Sequence, residues 1–238
     1  MTTETSTTGS GSPTAKPGFE PPRTIRVWDL PTRVFHWALA ALVTGMILTA
    51  WQGKLDLHMT LGQVVLSLVL FRLIWGFVGN RHARFADFVA GPMAGLRYLG
   101  TLFGRPGPQY LGHNPVGGWA VLAMLALLAL QAGTGLFTSD DIVSDGPLYS
   151  KVSSSTSALL STIHRQAVWV LLAVIAVHLL ANLFYLLIKN ENLVTPMITG
   201  RKTAPPASTD APGGHPVLAA VLLAFCLAVV FGGIRLLK

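Results

Sequence analysis

The sequence predicts an all-α membrane protein: a four-helix transmembrane bundle followed by a fifth, C-terminal transmembrane helix. Three observations carry this. Of 238 residues, 51% are hydrophobic and only 11% are charged, where soluble domains carry about 25% charged residues. The apolar residues collect in five runs, 34–51, 57–78, 116–137, 159–188 and 216–234. Each is close to the ~20 residues that a helix needs to cross ~30 Å of hydrocarbon. Trp37, Trp51, Trp75 and Trp119 fall near run ends, as an aromatic belt would.

Taken in order, residues 1–22 are rich in Thr, Ser, Gly and Pro and lack the apolar core of a signal peptide, so they read as a disordered tail. Residues 23–202 hold the first four spans and form the bundle proper. Gly45, Gly62, Ser67, Gly133 and Gly135 within the runs suit close helix packing in lipid. Between spans two and three, 85–102 is expected as a short interfacial amphipathic helix. Residues 203–214 read as a flexible linker. That linker sets the fifth span, 215–238, apart as an accessory contact element, for a partner or for a homo-oligomer.

Orientation follows from Lys and Arg. Lys16, Arg23, Arg26 and Arg33 precede span one. Arg72, Arg81, Arg84, Arg97 and Arg105 lie at or beyond the end of span two, and Lys189, Arg201 and Lys202 follow span four. These regions share one side, expected to be cytoplasmic, which places the N-terminus inside. The opposite side has a short turn with Lys54 and Asp56 and a loop with Asp140, Asp141 and Asp145. The fifth span then leaves Arg235 and Lys238 outside, the one violation of the charge pattern. The net charge of +7 is accounted for by these anchors, so nucleic acid is excluded as a partner.

Four histidines, His36, His58, His164 and His178, lie inside or at the edges of spans, where polar titratable groups are costly and mark functional sites. His164 and His178 are fourteen residues apart on span four. At ~100° per residue they share one helix face, roughly 21 Å apart along the axis. With the N-terminus inside, His58 and His164 fall at the outer level and His36 and His178 at the inner level. Two imidazoles at each of two depths is what two stacked haems would need. The single cysteine, Cys226, allows no internal disulfide, and no C-x-x-C-H motif is present. A haem here is therefore non-covalent and b-type. Two imidazole ligands leave iron no open position, which suits electron transfer. Gly62 shares the face of His58 one turn on, where a missing side chain lets a porphyrin lie against the helix. Arg33, Arg72 and Arg165, near span ends, are positioned to pair with haem propionates. Of the remaining histidines, His82 reads as a solvated loop residue, His113 as a cap before span three and His215 as interfacial.

The runs RVWDLPTRVFHW (26–37), LHMTLG (57–62) and FRLIWGFVG (71–79), with His164-Arg165 and His178 fourteen residues later, resemble the bacterial cytochrome b561 family. That family includes the b-type cytochrome subunits of nickel–iron hydrogenases. The resemblance covers roughly residues 24–202. It implies that His36, His58, His164 and His178 are axial ligands of two b haems. It further implies electron passage between membrane quinone and a partner or small oxidant, in the bacterial cytoplasmic (inner) membrane.

Two roles stay open within that reading: an electron-transfer subunit of a larger dehydrogenase, or a quinone-dependent oxidoreductase acting alone. A periplasmic cytochrome c or a dehydrogenase subunit would be the partner. Asp140, Asp141 and Asp145 read as a solvated loop or as a docking patch for a basic partner. A different class also stands: a transporter or proton conductor whose histidines work without haem. The absence of an internal repeat with interrupted helices argues against it. A third is an anchor subunit with structural haems.

Overall fold

A computed structural model of the protein describes residues 22–102, 110–140, 144–205, 208–211 and 214–238. Nearly all of the expected tail, 1–22, lies outside them. Among the described residues five helices are long and apolar enough to cross a membrane: α1 Leu30–Trp51, α2 Leu55–Val78, α5 Pro115–Gly135, α6 Ser154–Leu187 and α8 Pro216–Leu237. Three short helices, α3 Phe85–Phe88, α4 Pro92–Thr101 and α7 Val194–Thr199, decorate one end.

Local chemistry sets where the long helices start. Asp29 caps α1, its carboxylate accepting from Thr32 N at 2.8 Å, with Pro31 in the first turn. The helix therefore begins four residues before the apolar run. Asn114 caps α5 through Gly117 N at 2.7 Å, and Ser153 caps α6 through Thr156 N at 3.2 Å. At the opposite end, Gly53 takes the positive φ of 68° needed to turn α1 into α2 within three residues.

α2 is the central element, packed on α1, α5 and α8, while α6 packs chiefly on α5. Phe35, Leu68, Phe71, Trp75 and Leu125 form one core with Ala219 and Cys226 of α8. Val65, Val69, Leu128 and Leu171 form a second. α8 is thus an integral part of the bundle. Its Ala219, Cys226, Val230 and Ile234 are buried at i, i+7, i+11 and i+15, a single face that packs on α2, where the sequence reading assigns the span to a partner or a homo-oligomer. Described residues of the expected linker are bonded to the chain's first strand. Residues Arg201–Ala204 form β2, Asp210 Oδ1 accepts from Arg26 N at 2.6 Å, and Ala211 N donates to Arg26 O at 3.0 Å.

β2 pairs antiparallel with β1, Arg23–Arg26, in the register Arg23↔Ala204 to Arg26↔Arg201. Ile25, Val27, Trp28 and Ala204 pack beneath this ribbon. No strand was expected from the sequence, because a four-residue ribbon gives almost no periodic signal. The amphipathic segment 85–102 is corrected as well. It is two helices, broken at 89–91, where Gly91 caps and Pro92 opens the next helix.

The ribbon, the α2–α5 connection and α7 lie at one end of the bundle. The α1–α2 turn and the α5–α6 loop lie at the other. α8 begins at the ribbon end and finishes against Leu148 of the α5–α6 loop. The regions rich in arginine therefore share one end, as the charge pattern required.

Candidate functional site

The four histidines meet in two pairs, one at each end of the bundle. His58, in the first turn of α2, faces His164 of α6 with ring centres 6.3 Å apart and planes at 87°. His36 of α1 faces His178 of α6 with centres 6.5 Å apart and planes at 51°. All four rings are half-buried. α6 packs chiefly on α5, and Leu171, midway between His164 and His178, meets Val65 and Val69 of α2 between the two pairs.

At the outer pair the backbone fixes both rings. His58 Nδ1 lies 2.9 Å from Met46 O, and His164 Nδ1 lies 2.9 Å from Gln131 O. A carbonyl only accepts, so each Nδ1 carries the proton and each Nε2 keeps its lone pair. Gln131 Nε2 also donates to His164 O at 3.0 Å, and Thr134 Oγ1 lies 3.3 Å from His164 Nδ1. Gly135 makes room, since a Cβ there would stand 3.0 Å from His164 Cε1.

The inner pair is held differently. His36 Nδ1 is buried without a partner. Its ring lies edge-on to Trp37, whose Nε1 donates to Met197 O at 3.2 Å. Asn182, one turn after His178, donates to His178 O at 2.7 Å and approaches His178 Nε2 at 3.3 Å.

These pairs fit an iron porphyrin. A metal–nitrogen bond of about 2 Å, plus roughly 1 Å from nitrogen to ring centre, sets two trans imidazoles about 6 Å apart, close to the 6.3 and 6.5 Å found. No group of three or more His, Cys, Asp or Glu able to hold a metal ion occurs among the described residues. Each pair therefore presents two imidazoles and no third protein donor among the described residues. Bis-imidazole iron can change valence but cannot take substrate, so the arrangement suits one-electron transfer.

The other expected site residues divide. Arg33, one turn before His36, donates from Nη1 to Ile198 O and keeps a buried, unpartnered Nε. Arg72 is buried in α2 beside Ala83, Phe85 and Phe88. Arg165 is exposed and acts electrostatically on His164. Gly62 packs on α1: a Cβ there would meet Met46 Cε at 3.4 Å. Of the four span histidines, His164 is the one with a glycine, Gly135, against its ring among the described residues.

Two histidines outside the spans differ from expectation. His82 is only 7% exposed, bonds Asp87 Oδ2 through Nδ1 at 2.8 Å and lies edge-on to Trp28. The cap before α5 is Asn114, while His113 is wedged between Trp28 at 4.8 Å and Phe88 at 4.7 Å. Burial, with Arg72, His178, His82 and His36 nearby, pushes the His113 pKa down to about 3, so its ring is neutral. His215 stands exposed at the start of α8, as expected. Asp140 and Asp145 are exposed, and Asp141 lies outside the described residues.

The sequence reading missed Gln131, Thr134 and Asn182. Each is a polar residue inside an apolar run, a signal that could have found them. The Met46 carbonyl leaves no trace in side-chain chemistry.

The family model described as Prokaryotic cytochrome b561 matches residues 27–200. A "Probable Ni/Fe-hydrogenase B-type cytochrome subunit" of Rhizobium leguminosarum bv. viciae is 25% identical over 213 residues, covering 76% of this chain and 89% of the relative. Proteins of the same description from Rhodobacter capsulatus (25% over 218 residues, 75% and 81% covered) and Bradyrhizobium diazoefficiens (23% over 222 residues, 75% and 86% covered) are also similar. No solved structure gives a significant match. With most of its length matched and five membrane-length helices, the chain belongs to the prokaryotic cytochrome b561 family and is a multi-pass, b-type membrane cytochrome of electron transport.

Proposed function

We propose that this cytochrome carries electrons across the bacterial inner membrane through two b haems, between the quinone pool and a redox partner. His58 and His164 hold the outer haem, and His36 and His178 the inner. The observation that carries the reading is the recurrence of one geometry at two depths: imidazoles facing across 6.3 and 6.5 Å, spaced along α6 by fourteen residues, or about 21 Å. Haem bound there supplies reversible one-electron chemistry. The chain supplies the rest. Met46 O and Gln131 O hold the outer imidazoles with Nε2 free to ligate. Asn182 donates to His178 O and braces the turn that carries the ring. Arg33 at the inner level and Arg165 at the outer level supply charge for propionates, Arg33 with an unpartnered donor on the face of His36.

The partner we infer is a hydrogenase, from the names of the relatives, with the N-terminus and the arginine-rich end in the cytoplasm. The test is the haem-to-protein ratio of protein purified from membranes, with a redox titration. Two b haems per chain and two one-electron waves are expected. Colourless protein that keeps its fold would overturn the reading.

A further inference from the structure

Arg72 is 3% exposed, deep for a cation. Its Nη2 donates to Ala83 O at 3.0 Å, and its guanidinium lies over Phe85 and Phe88, 5.0 and 6.0 Å from the ring centres. The remaining terminal nitrogen, Nη1, is buried and has no partner. Asp29, the carboxylate acting on it electrostatically, is committed elsewhere: Oδ1 accepts from Thr32 N and Oδ2 from Trp75 Nε1.

Asn80, 6% exposed, is held on the same turn. Its Oδ1 accepts from Ala83 N at 3.0 Å, which leaves Nδ2 buried and unpartnered. His113 packs on Phe88, the ring that Arg72 also covers, and its Nδ1 is likewise unpartnered. Three unpartnered buried nitrogens thus gather around residues 80–88, one of them on a cation. Buried donors of this kind are normally satisfied, and a buried charge is normally paired. A carboxylate, accepting through two oxygens, matches the Arg72 and Asn80 donors, and His113 joins them in its Nδ1–H tautomer.

We infer that Arg72, Asn80 and His113 form a buried carboxylate seat that takes a propionate of the inner haem. This rests on the two-haem reading above. Phe35 and Phe71, which immediately precede His36 and Arg72, pack with ring centres 6.4 Å apart across α1 and α2, so the seat stands at the level of the inner pair. No such seat occurs at the outer pair among the described residues: its unpartnered buried atom is Gln131 Oε1, an acceptor, and its arginine, Arg165, is exposed.

The test is the rate of haem transfer from the loaded, purified protein to an excess of an apo-haem acceptor protein. The inner haem is identified by its absence from a His36→Ala chain. Arg72→Gln should speed loss of the inner haem about tenfold or more, as expected for a lost charge-assisted hydrogen bond, and leave the outer haem unchanged. Arg72→Lys should speed it less. His113→Phe keeps the ring packing and should give a smaller acceleration, an independent reading if Arg72→Gln does not assemble. Loaded instead with haem dimethyl ester, whose propionates carry no charge, wild type and Arg72→Gln should lose the inner haem equally fast. Equal rates with ordinary haem would overturn the seat. The same Arg72→Gln penalty with the ester would also overturn it, assigning the nitrogens to another ligand or to packing. A wild-type chain that takes up no haem overturns the two-haem reading itself and the seat with it.

Discussion

The outer and inner histidine pairs share a separation and differ in how they are held. At the outer pair, both Nδ1 atoms bond backbone carbonyls of neighbouring helices and the rings stand perpendicular. At the inner pair, one Nδ1 has no partner, the other ring leans on a side chain of its own helix, and the planes meet at 51°. Backbone carbonyls move only if helices move, so the outer rings are preset by the packing of α1 on α2 and of α5 on α6. The inner ligands keep freedom that a bound group would remove. Their surroundings differ in charge as well. Arg33, Arg72 and the neutral His113 lie at the inner level, whereas the outer pair has the Thr134 hydroxyl 3.3 Å from His164 Nδ1.

Ligand deletion breaks the comparison most sharply. His58→Ala or His164→Ala should remove the outer haem, and His36→Ala or His178→Ala the inner. Haem content should fall from two per chain towards one, or the protein should fail to assemble. Two haems with unaltered spectra in any one variant would sink the assignment. Next in size, Gly135→Val puts a Cβ 3.0 Å from His164 Cε1 and should lower outer haem occupancy with the inner retained. Gly62→Ala, which only meets Met46 Cε at 3.4 Å, should keep both. Equal loss in the two variants would show that the outer site is not held more tightly at Gly135.

Asn182→Leu removes the amide that approaches His178 Nε2 at 3.3 Å and should shift the inner haem's potential more than the outer one's. Thr134→Val should change the outer haem little, because Gln131 O already fixes His164. Matching shifts in a two-wave redox titration would erase the distinction. Asp29→Ala removes the α1 cap and the acceptor of Trp75 Nε1. It should cost about 1–2 kcal/mol, or a few degrees in Tm at ~2–4 °C per kcal/mol, read by thermal melting.

The smallest effect expected is at Tyr98, whose hydroxyl lies 2.5 Å from Tyr185 at the end of α6. Burial, then the bond to Tyr185, raises its pKa above the ordinary tyrosine value. The folded state therefore holds this proton more tightly than the unfolded chain. The contribution is complete below about pH 10 and declines above it. Tyr98→Phe should cost about 1 kcal/mol and flatten the alkaline limb of a stability–pH curve; an unchanged limb would count against the bond.

Much of the fold was legible because lipid imposes a simple rule: span length and apolarity are local properties of the chain. Pairing of the histidines was legible too, since span polarity and position along a helix fix depth. The His113 and His82 environments were not. Both depend on Trp28, which the β1–β2 ribbon brings over the α2–α5 connection from more than fifty residues away in sequence. Nor was the docking of α8, whose apolar face matched lipid as well as it matched α2.

By itself the sequence determined five membrane-length helices, their alternation, and two levels of imidazoles, because hydrophobic length and helical rise need no partner to be read. Only the tertiary structure decided which carbonyl fixes each ring, which glycine lets His164 sit, and where three unpartnered nitrogens gather. Those features are made by atoms far apart in the chain, and no local pattern encodes a distance between two helices.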